Sequence, residues 1–175
     1  MGSDLIGRWI IALPRICLLF LVASISAIPV YAANDCPWMN EATASGLLGG
    51  TAVGMFQAAT TEKAAVCTFT QRSTDSTRIL QIQVEISHEP EDRLKTLEQS
   101  CGPSISPLSA IGNEAVSCSL AERGKEAGKI AIGRVRDQVF TIKISSSKKS
   151  DPVLRPSMLG MLIHTAAEQV SSNLF

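Results

Sequence analysis

Apolar and polar residues alternate along several segments of the chain, most clearly between Ile79 and Ile86. Apolar residues occupy every second position from Leu80 to Ile86 and are separated by Gln81, Gln83 and Glu85. A period of two with one apolar side is typical of a strand that buries one face and leaves the other in water. Alternation, or β-branched and aromatic content, predicts further strands at residues 51–56, 65–71, 116–120, 130–135 and 139–144.

Three other segments carry the spacing and the boundary residues of helices. Asn40 can cap a short helix that ends at Gly49-Gly50, because glycine readily adopts the left-handed conformation that stops a helix. Pro90 opens a second helix that runs to Cys101. A third helix at residues 157–174 places one apolar stripe on its surface. The stripe consists of Met158, Leu162, Ala166, Val170 and Leu174.

Gly133 interrupts the pattern of the strand that starts at Ile130. Ile132 and Val135 have opposite parity, so we expect a β-bulge at Gly133 that returns Val135 to the buried side. Strands joined by short turns pair antiparallel, and half-buried strands require helices on one face. The sequence therefore predicts an α+β fold: a curved antiparallel sheet of about six strands in two βββα units, with a long C-terminal helix packed on one face.

The first 32 residues have the composition of a signal peptide. Arg8 and Arg15 precede an apolar run at residues 16–28, and Val30 and Ala32 occupy the small-residue positions before a cleavage point. We expect cleavage after Ala32 or Ala33, which leaves residues 33–175 as a single domain. The alternative is a retained membrane anchor, but a bilayer-spanning helix needs about 20 apolar residues. A secreted or periplasmic protein without a stable membrane anchor is the simpler interpretation.

Four cysteines remain after the predicted cleavage: Cys36, Cys67, Cys101 and Cys118. An even number in an exported chain favours two disulfides, since oxidising compartments form and retain them. Three pairings are possible, and we favour Cys36–Cys67 with Cys101–Cys118 because these pairs are neighbours along the chain. The sequence contains no Cys-x-x-Cys spacing, so it offers no support for a redox motif or a zinc site.

The charge balance argues against nucleic acid as a partner. Subtracting Arg8, Arg15 and Asp4 from totals of 16 basic and 16 acidic residues leaves 14 Lys and Arg against 15 Asp and Glu. Nucleic-acid-binding domains usually carry a strongly basic face. The five aromatic residues that remain after Ala33 are also few for a surface on which bases stack.

Candidate chemistry is sparse. His88 is followed by acidic residues and offers the best position for a hydrolase-like site or a metal ligand, although a polar turn before a helix explains the same residues. His164 lies far along the chain. Arg134, Arg136 and Lys143 could share one sheet face beside Lys129 and hold an anionic group. We expect no cofactor and no metal.

Several short segments together resemble a group of exported proteins. Cys36-Pro37-Trp38 precedes a helix that ends in Leu-Leu-Gly, Cys67-Thr68-Phe69 follows, and an Ile-Gly-Asn-Glu-Ala segment comes at residues 111–115. This arrangement resembles small exported bacterial domains of uncharacterised function. It is more distantly similar to LpqN-type lipoproteins and to the extracellular sensor domain of the kinase PknH. The resemblance implies the fold and carries no catalytic residues to this chain.

These observations favour a non-enzymatic binding or interaction module of the bacterial envelope. Its partner is expected to be an envelope protein or a small amphiphilic ligand. Met158 and Met161 on the last helix could roof an apolar groove above the sheet, since methionine adapts to irregular ligands. The alternatives are a small hydrolase-like enzyme that uses His88 and a purely structural envelope component.

Overall fold

The computed structural model describes residues 35–60, 64–120 and 127–175. The predicted signal peptide and its cleavage points after Ala32 and Ala33 lie outside these residues. In chain order, the elements are α1 (Glu41–Leu48), β1 (Ala52–Gln57), β2 (Ala65–Arg72), β3 (Thr77–Ile86), α2 (Pro90–Glu98), a 3₁₀ turn (Gln99–Cys101), β4 (Ser106–Pro107), β5 (Glu114–Ser119), β6 (Ala127–Val135), β7 (Gln138–Ser146) and α3 (Pro156–Ser172). None of the helices in the described segments is long and apolar enough to cross a membrane.

All strands belong to one antiparallel sheet with the order β1-β2-β3-β7-β6-β5-β4. The centre of the sheet is the pairing of β3 with β7, in which Leu80 lies opposite Ile144 and Ile82 opposite Ile142. These four side chains are fully buried, as their alternation along the sequence predicted. The α+β class, the antiparallel pairing and the C-terminal helix are therefore confirmed.

The prediction of six strands in two βββα units was wrong. The described residues form seven strands, of which three precede α2 and four lie between α2 and α3. The additional strand, β4, consists of Ser106 and Pro107, which pair with Ser117 and Val116 at the edge of the sheet. Both β4 residues are exposed. The strand therefore has no buried face, and its sequence shows no alternation of apolar and polar residues.

The boundaries of α1 follow from its predicted caps. The Asn40 side chain accepts a hydrogen bond from the Thr43 amide at 2.8 Å, and Gly49 ends the helix with a φ of 68°. The helix also contacts the edge strand β1 through two side chains. Ser45 Oγ accepts a hydrogen bond from the Ala52 amide at 2.9 Å, and Glu41 Oε1 accepts one from the Gly54 amide at 2.7 Å. Two amide groups on the outer side of β1 are thereby satisfied.

One face of the sheet packs on α1 and α3 and forms the main core. In the amino-terminal half of α3, the buried side chains are those of Leu159 and Ile163. The sequence pattern predicts Met158 and Leu162 on the apolar stripe of this half. Met158 and Met161 are instead 39% and 56% exposed. The interpretation that these methionines roof a groove above the sheet was therefore wrong, because their side chains face solvent.

The opposite face is partly covered by α2. Arg93 of α2 donates to the Glu85 carboxylate, and Arg134 Nη2 donates to Glu91 Oε1 at 3.0 Å, so the helix lies above β3 and β6 on this side. The Glu85 carboxylate also raises the pKa of Arg93, mainly through the hydrogen bond it accepts. Leu94 is the buried residue of α2.

The β-bulge predicted at Gly133 does not exist. The register of β6 with β7 is continuous, and Ile132 and Val135 lie on opposite faces of the sheet. Both are buried because β6 contacts α3 on one face and α2 on the other. Gly133 has a different role: a Cβ at this position would lie 2.5 Å from Phe140 Cζ and 2.8 Å from the Ala115 Cβ. The glycine lets the Phe140 ring pack directly on the backbone of β6.

Two disulfides join the pairs that the sequence favoured, Cys36–Cys67 and Cys101–Cys118. The Cα atoms of the pairs are 5.7 Å and 5.6 Å apart, which lies within the usual range for disulfides. The first disulfide anchors the segment before α1 to the core strand β2, and the second ties the 3₁₀ turn to β5. Two disulfides indicate an oxidising, extracytoplasmic location.

Candidate ligand-binding site

A cavity of about 730 Å³ lies between the adjoining ends of β5 and β6 and the start of α3. One wall comes from the end of β5 and the beginning of β6, and the other from the β7–α3 loop and the first turn of α3. The lining residues are Ser119, Leu120, Gly128, Lys129, Lys149, Ser150, Asp151, Pro152, Arg155, Pro156 and Leu159. The volume lies inside the range of about 300–1,000 Å³ that is usual for small-molecule sites.

The inner surface of the cavity is largely apolar. Leu120 and Leu159 contribute side chains from the two walls, and Pro152 and Pro156 contribute their rings from the loop and the helix start. The Leu120 amide donates to the Gly128 carbonyl at 3.2 Å, which continues the β5–β6 pairing up to the cavity. A surface of this kind favours the hydrocarbon part of a ligand.

The loop that forms the second wall is held by a buried ion pair. Arg78 Nε donates to Asp151 Oδ1 and Oδ2 at 2.9 Å and 2.8 Å, and the two side chains are 6% and 0% exposed. Ser146 Oγ donates to the same carboxylate at 2.7 Å. The amides of Val153 and Leu154 also donate to it, at 2.8 Å and 3.2 Å. The carboxylate thus connects the centre of the sheet to the turn that leads into α3.

Burial alone would raise the pKa of Asp151, but the hydrogen bonds have the larger combined effect. Those from Arg78, Ser146 and the two loop amides all favour the charged form, and they hold the pKa of this carboxyl well below its ordinary value. Arg78 also donates to the Leu48 carbonyl and to Gln71 Oε1, both at 3.1 Å. The charge of Asp151 is therefore neutralised inside the protein.

Three basic residues line the cavity: Lys129, Lys149 and Arg155. None of them forms an ion pair within residues 35–60, 64–120 and 127–175. The only acid among the described lining residues is Asp151, which already pairs with Arg78. The described lining residues consequently combine an apolar surface with an excess of positive charge.

The start of α3 adds to this positive character. Its first turn contains no acidic residue, and no side chain caps its amino end. The N-cap residue is Arg155, whose Nε donates to the Pro152 carbonyl at 2.7 Å. The amino end of a helix carries a partial positive charge, which acidic side chains commonly offset. Here no acidic side chain of the first turn offsets it.

Three of the four basic residues that the sequence singled out lie elsewhere. Arg134 and Lys143 share the sheet face that α2 partly covers, whereas Lys129 points to the other face. Arg134 contacts two carboxylates, those of Glu91 at 3.0 Å and Glu114 at 3.7 Å. Arg136 occupies the β6–β7 turn with a φ of 56° and lies 5.8 Å from the centre of the Phe175 ring. The structure does not bring Arg134, Arg136 or Lys143 to the cavity, and an anion-binding role for these three stays a prediction.

The two histidines are not brought together. His88 is exposed in the bend between β3 and α2. His164 lies on α3, on the opposite side of the sheet, where its Nε2 is 3.3 Å from the Ser109 carbonyl oxygen. In the part of the chain that the structure describes, no group of three or more His, Cys, Asp or Glu side chains is placed to hold a metal ion.

Sequence reasoning missed Lys149 and Arg155, although a signal was present. Basic residues directly precede the last helix, and no acid occupies its first turn. Most helices show the opposite preference, because acidic residues stabilise the amino end. The start of α3 departs from this preference, and the cavity lies beside it.

A second, smaller cavity of about 540 Å³ lies on the face of β1 and β2 that points away from α1. Val53 and Met55 line it and are 67% and 57% exposed. Arg72 is its one charged lining residue among those described. The larger cavity is the better candidate because it joins an apolar surface to three basic side chains. Comparisons with protein-family models, curated proteins and solved structures find no match to this chain.

Proposed function

We propose that this domain is an extracytoplasmic, non-catalytic binding module that holds a small amphiphilic molecule. The observation that carries the proposal is the cavity of about 730 Å³ between the β5–β6 end and α3. Leu120, Pro152, Pro156 and Leu159 supply an apolar surface, and charged groups occur at its margin. A ligand with a hydrocarbon part and a polar part matches both features.

The frame around the cavity supports this proposal. Asp151 fixes the loop wall through five hydrogen bonds, and the Cys101–Cys118 disulfide fixes the end of β5 one residue before Ser119. A site held in place before the ligand arrives avoids part of the entropy loss on binding. The two disulfides also agree with an export route, which remains a proposal for residues 1–32.

Binding of straight-chain alcohols is expected to strengthen with chain length until the cavity is full. Each buried methylene contributes about 0.8 kcal/mol, so we expect affinity to rise about fourfold per added carbon from hexanol upward and then to level off. Isothermal titration calorimetry on the disulfide-bonded protein measures this series.

A matched pair of variants tests whether the cavity is the site. Ser150 is an exposed lining residue, so Ser150→Trp is expected to fill the cavity and reduce the affinity for the longest bound alcohol at least tenfold. Ser104→Trp places the same ring on an exposed loop outside the cavity and should bind like the unchanged protein. Failure of every alcohol to bind, or equal binding by both variants, would contradict the proposed function at this site.

A further inference from the structure

The charged side chains that line the cavity indicate which head group its ligand carries. Resting on the proposed function, we infer that the ligand is an anionic amphiphile, with an acyl or alkyl chain and a carboxylate or phosphate head. Lys129, Lys149 and Arg155 come from two separate segments of the chain and meet at one cavity. Cations that line a pocket without carboxylate partners favour an anionic ligand through direct charge pairing.

The three cations lie on both walls of the cavity. Lys129 comes from the strand wall, whereas Lys149 and Arg155 come from the loop wall, so the charges flank the cavity from both sides. The hydrogen bond from Arg155 Nε to the Pro152 carbonyl, at 2.7 Å, holds the guanidinium group at the cavity margin. The Nη groups of Arg155 donate no hydrogen bond to the described residues and are available to oxygen atoms of a ligand.

Two further features of the described residues argue against a cationic head. Asp151 is the only described acid of the lining, and its carboxylate accepts hydrogen bonds from Arg78, Ser146 and two backbone amides instead of facing a ligand. The amino end of the 17-residue helix α3 adjoins the cavity at Pro156 without an acidic residue in its first turn. Among the described lining residues, a positive ligand group would therefore find no carboxylate free to pair with it.

Four probes with the same twelve-carbon chain separate the head groups: dodecanoate, dodecyl phosphate, dodecanol and dodecyltrimethylammonium. We expect both anions to bind the full disulfide-bonded protein at least tenfold more tightly than dodecanol in calorimetric titrations at low ionic strength. Dodecyltrimethylammonium should bind most weakly. The advantage of the anions should shrink in 0.5 M salt, because exposed charges are screened. Comparing dodecanoate with dodecyl phosphate shows which anionic head is preferred.

Variants that remove the three basic side chains of the cavity test whether these side chains cause the preference for anionic head groups. Lys129→Gln, Lys149→Gln and Arg155→Gln in one protein should weaken dodecanoate and dodecyl phosphate at least tenfold and leave dodecanol within about twofold. The matched control combines Arg72→Gln, Lys95→Gln and Lys148→Gln, which removes the same charge at exposed positions outside the cavity. Circular dichroism establishes that both variants are folded.

The outcomes test the anionic head group separately from the amphiphile-binding function. Tight binding of dodecanol with no preference for the anions overturns the anionic head but leaves the binding function intact. Equal loss of anion binding in the control variant also overturns it, since the effect then belongs to the net charge of the protein. If none of the four probes binds, both the anionic head and the amphiphile-binding function are wrong.

Discussion

Replacing Asp151 with asparagine is expected to lower the free energy of unfolding by about 3–5 kcal/mol at pH 7, because removing one partner leaves a buried charge uncompensated. The charge left behind is the guanidinium group of Arg78, whose side chain is only 6% exposed. Asparagine also replaces one carboxylate oxygen with an NH₂ group, so its side chain cannot accept both the Ser146 hydrogen bond, now made to Oδ2, and those of the Val153 and Leu154 amides, now made to Oδ1. Urea unfolding followed by circular dichroism measures the loss.

Asp75→Asn is the matched control. Its carboxylate lies 4.0 Å from Lys148 Nζ, and the Asp75 side chain is 79% exposed. An exposed pair of this kind contributes about 0–1 kcal/mol, so the control should unfold almost like the unchanged protein. A similar loss of stability in both variants would mean that burial of the Arg78–Asp151 pair is not the cause.

The contribution of Asp151 should also depend on pH. Its pKa is lower in the folded protein than in the unfolded chain, where an aspartate titrates near pH 3.9. The unfolded chain therefore takes up a proton first as the solution is acidified, and the stabilisation is complete above about pH 5 and declines as the pH falls below 4. The difference in stability between the unchanged protein and Asp151→Asn should shrink over that acidic range. A difference that stays constant down to pH 3 would contradict this assignment.

Removing the Cys36–Cys67 disulfide by replacing both cysteines with alanine is expected to lower the free energy of unfolding by about 3–4 kcal/mol. The bond restricts the unfolded chain across a sequence separation of 31 residues. Cys67 is also fully buried on β2, so alanine at this position loses core contacts in addition.

The second disulfide provides the comparison for the first. Cys101 and Cys118 are separated by 17 residues, so their removal should destabilise by about 0.5 kcal/mol less than removal of Cys36–Cys67 on chain entropy alone. Urea unfolding of both double variants, with the reduced protein as a reference, measures the two losses. If both variants unfold at the urea concentration of the unchanged protein, the disulfides do not support the fold as described.

The alternation of apolar and polar residues predicted the strands that bury only one face. It gave wrong predictions for strands that bury both faces or neither face. β3 buries Leu80, Ile82 and Val84 on one side only, and its position was predicted correctly. β6 packs against helices on both faces, so Ile132 and Val135 are both buried without any bulge. The two-residue strand β4 buries neither of its side chains and left no pattern to detect.

The candidate site was harder to predict than the fold because it depends on contacts between distant segments. Lys129 and Lys149 are separated by the whole of β7, and they line the same cavity because the start of β6 lies beside the β7–α3 loop. No local spacing encodes that proximity. Arg134 was predicted from the sequence as an anion-binding residue. In the structure, Glu91 from α2 and Glu114 from β5 lie beside its guanidinium group.

The contacts between α1 and β1 have a consequence for self-association. An open sheet can grow at its edges when another extended chain pairs with free backbone groups, which is the first step towards fibrils. At one edge, Ser45 and Glu41 already accept hydrogen bonds from the outward amides of Ala52 and Gly54. At the other, β4 offers only two residues, and Pro107 has no amide hydrogen to donate. Both edges of this sheet are thus poor templates for fibril growth, which protects a folded chain that accumulates at high concentration.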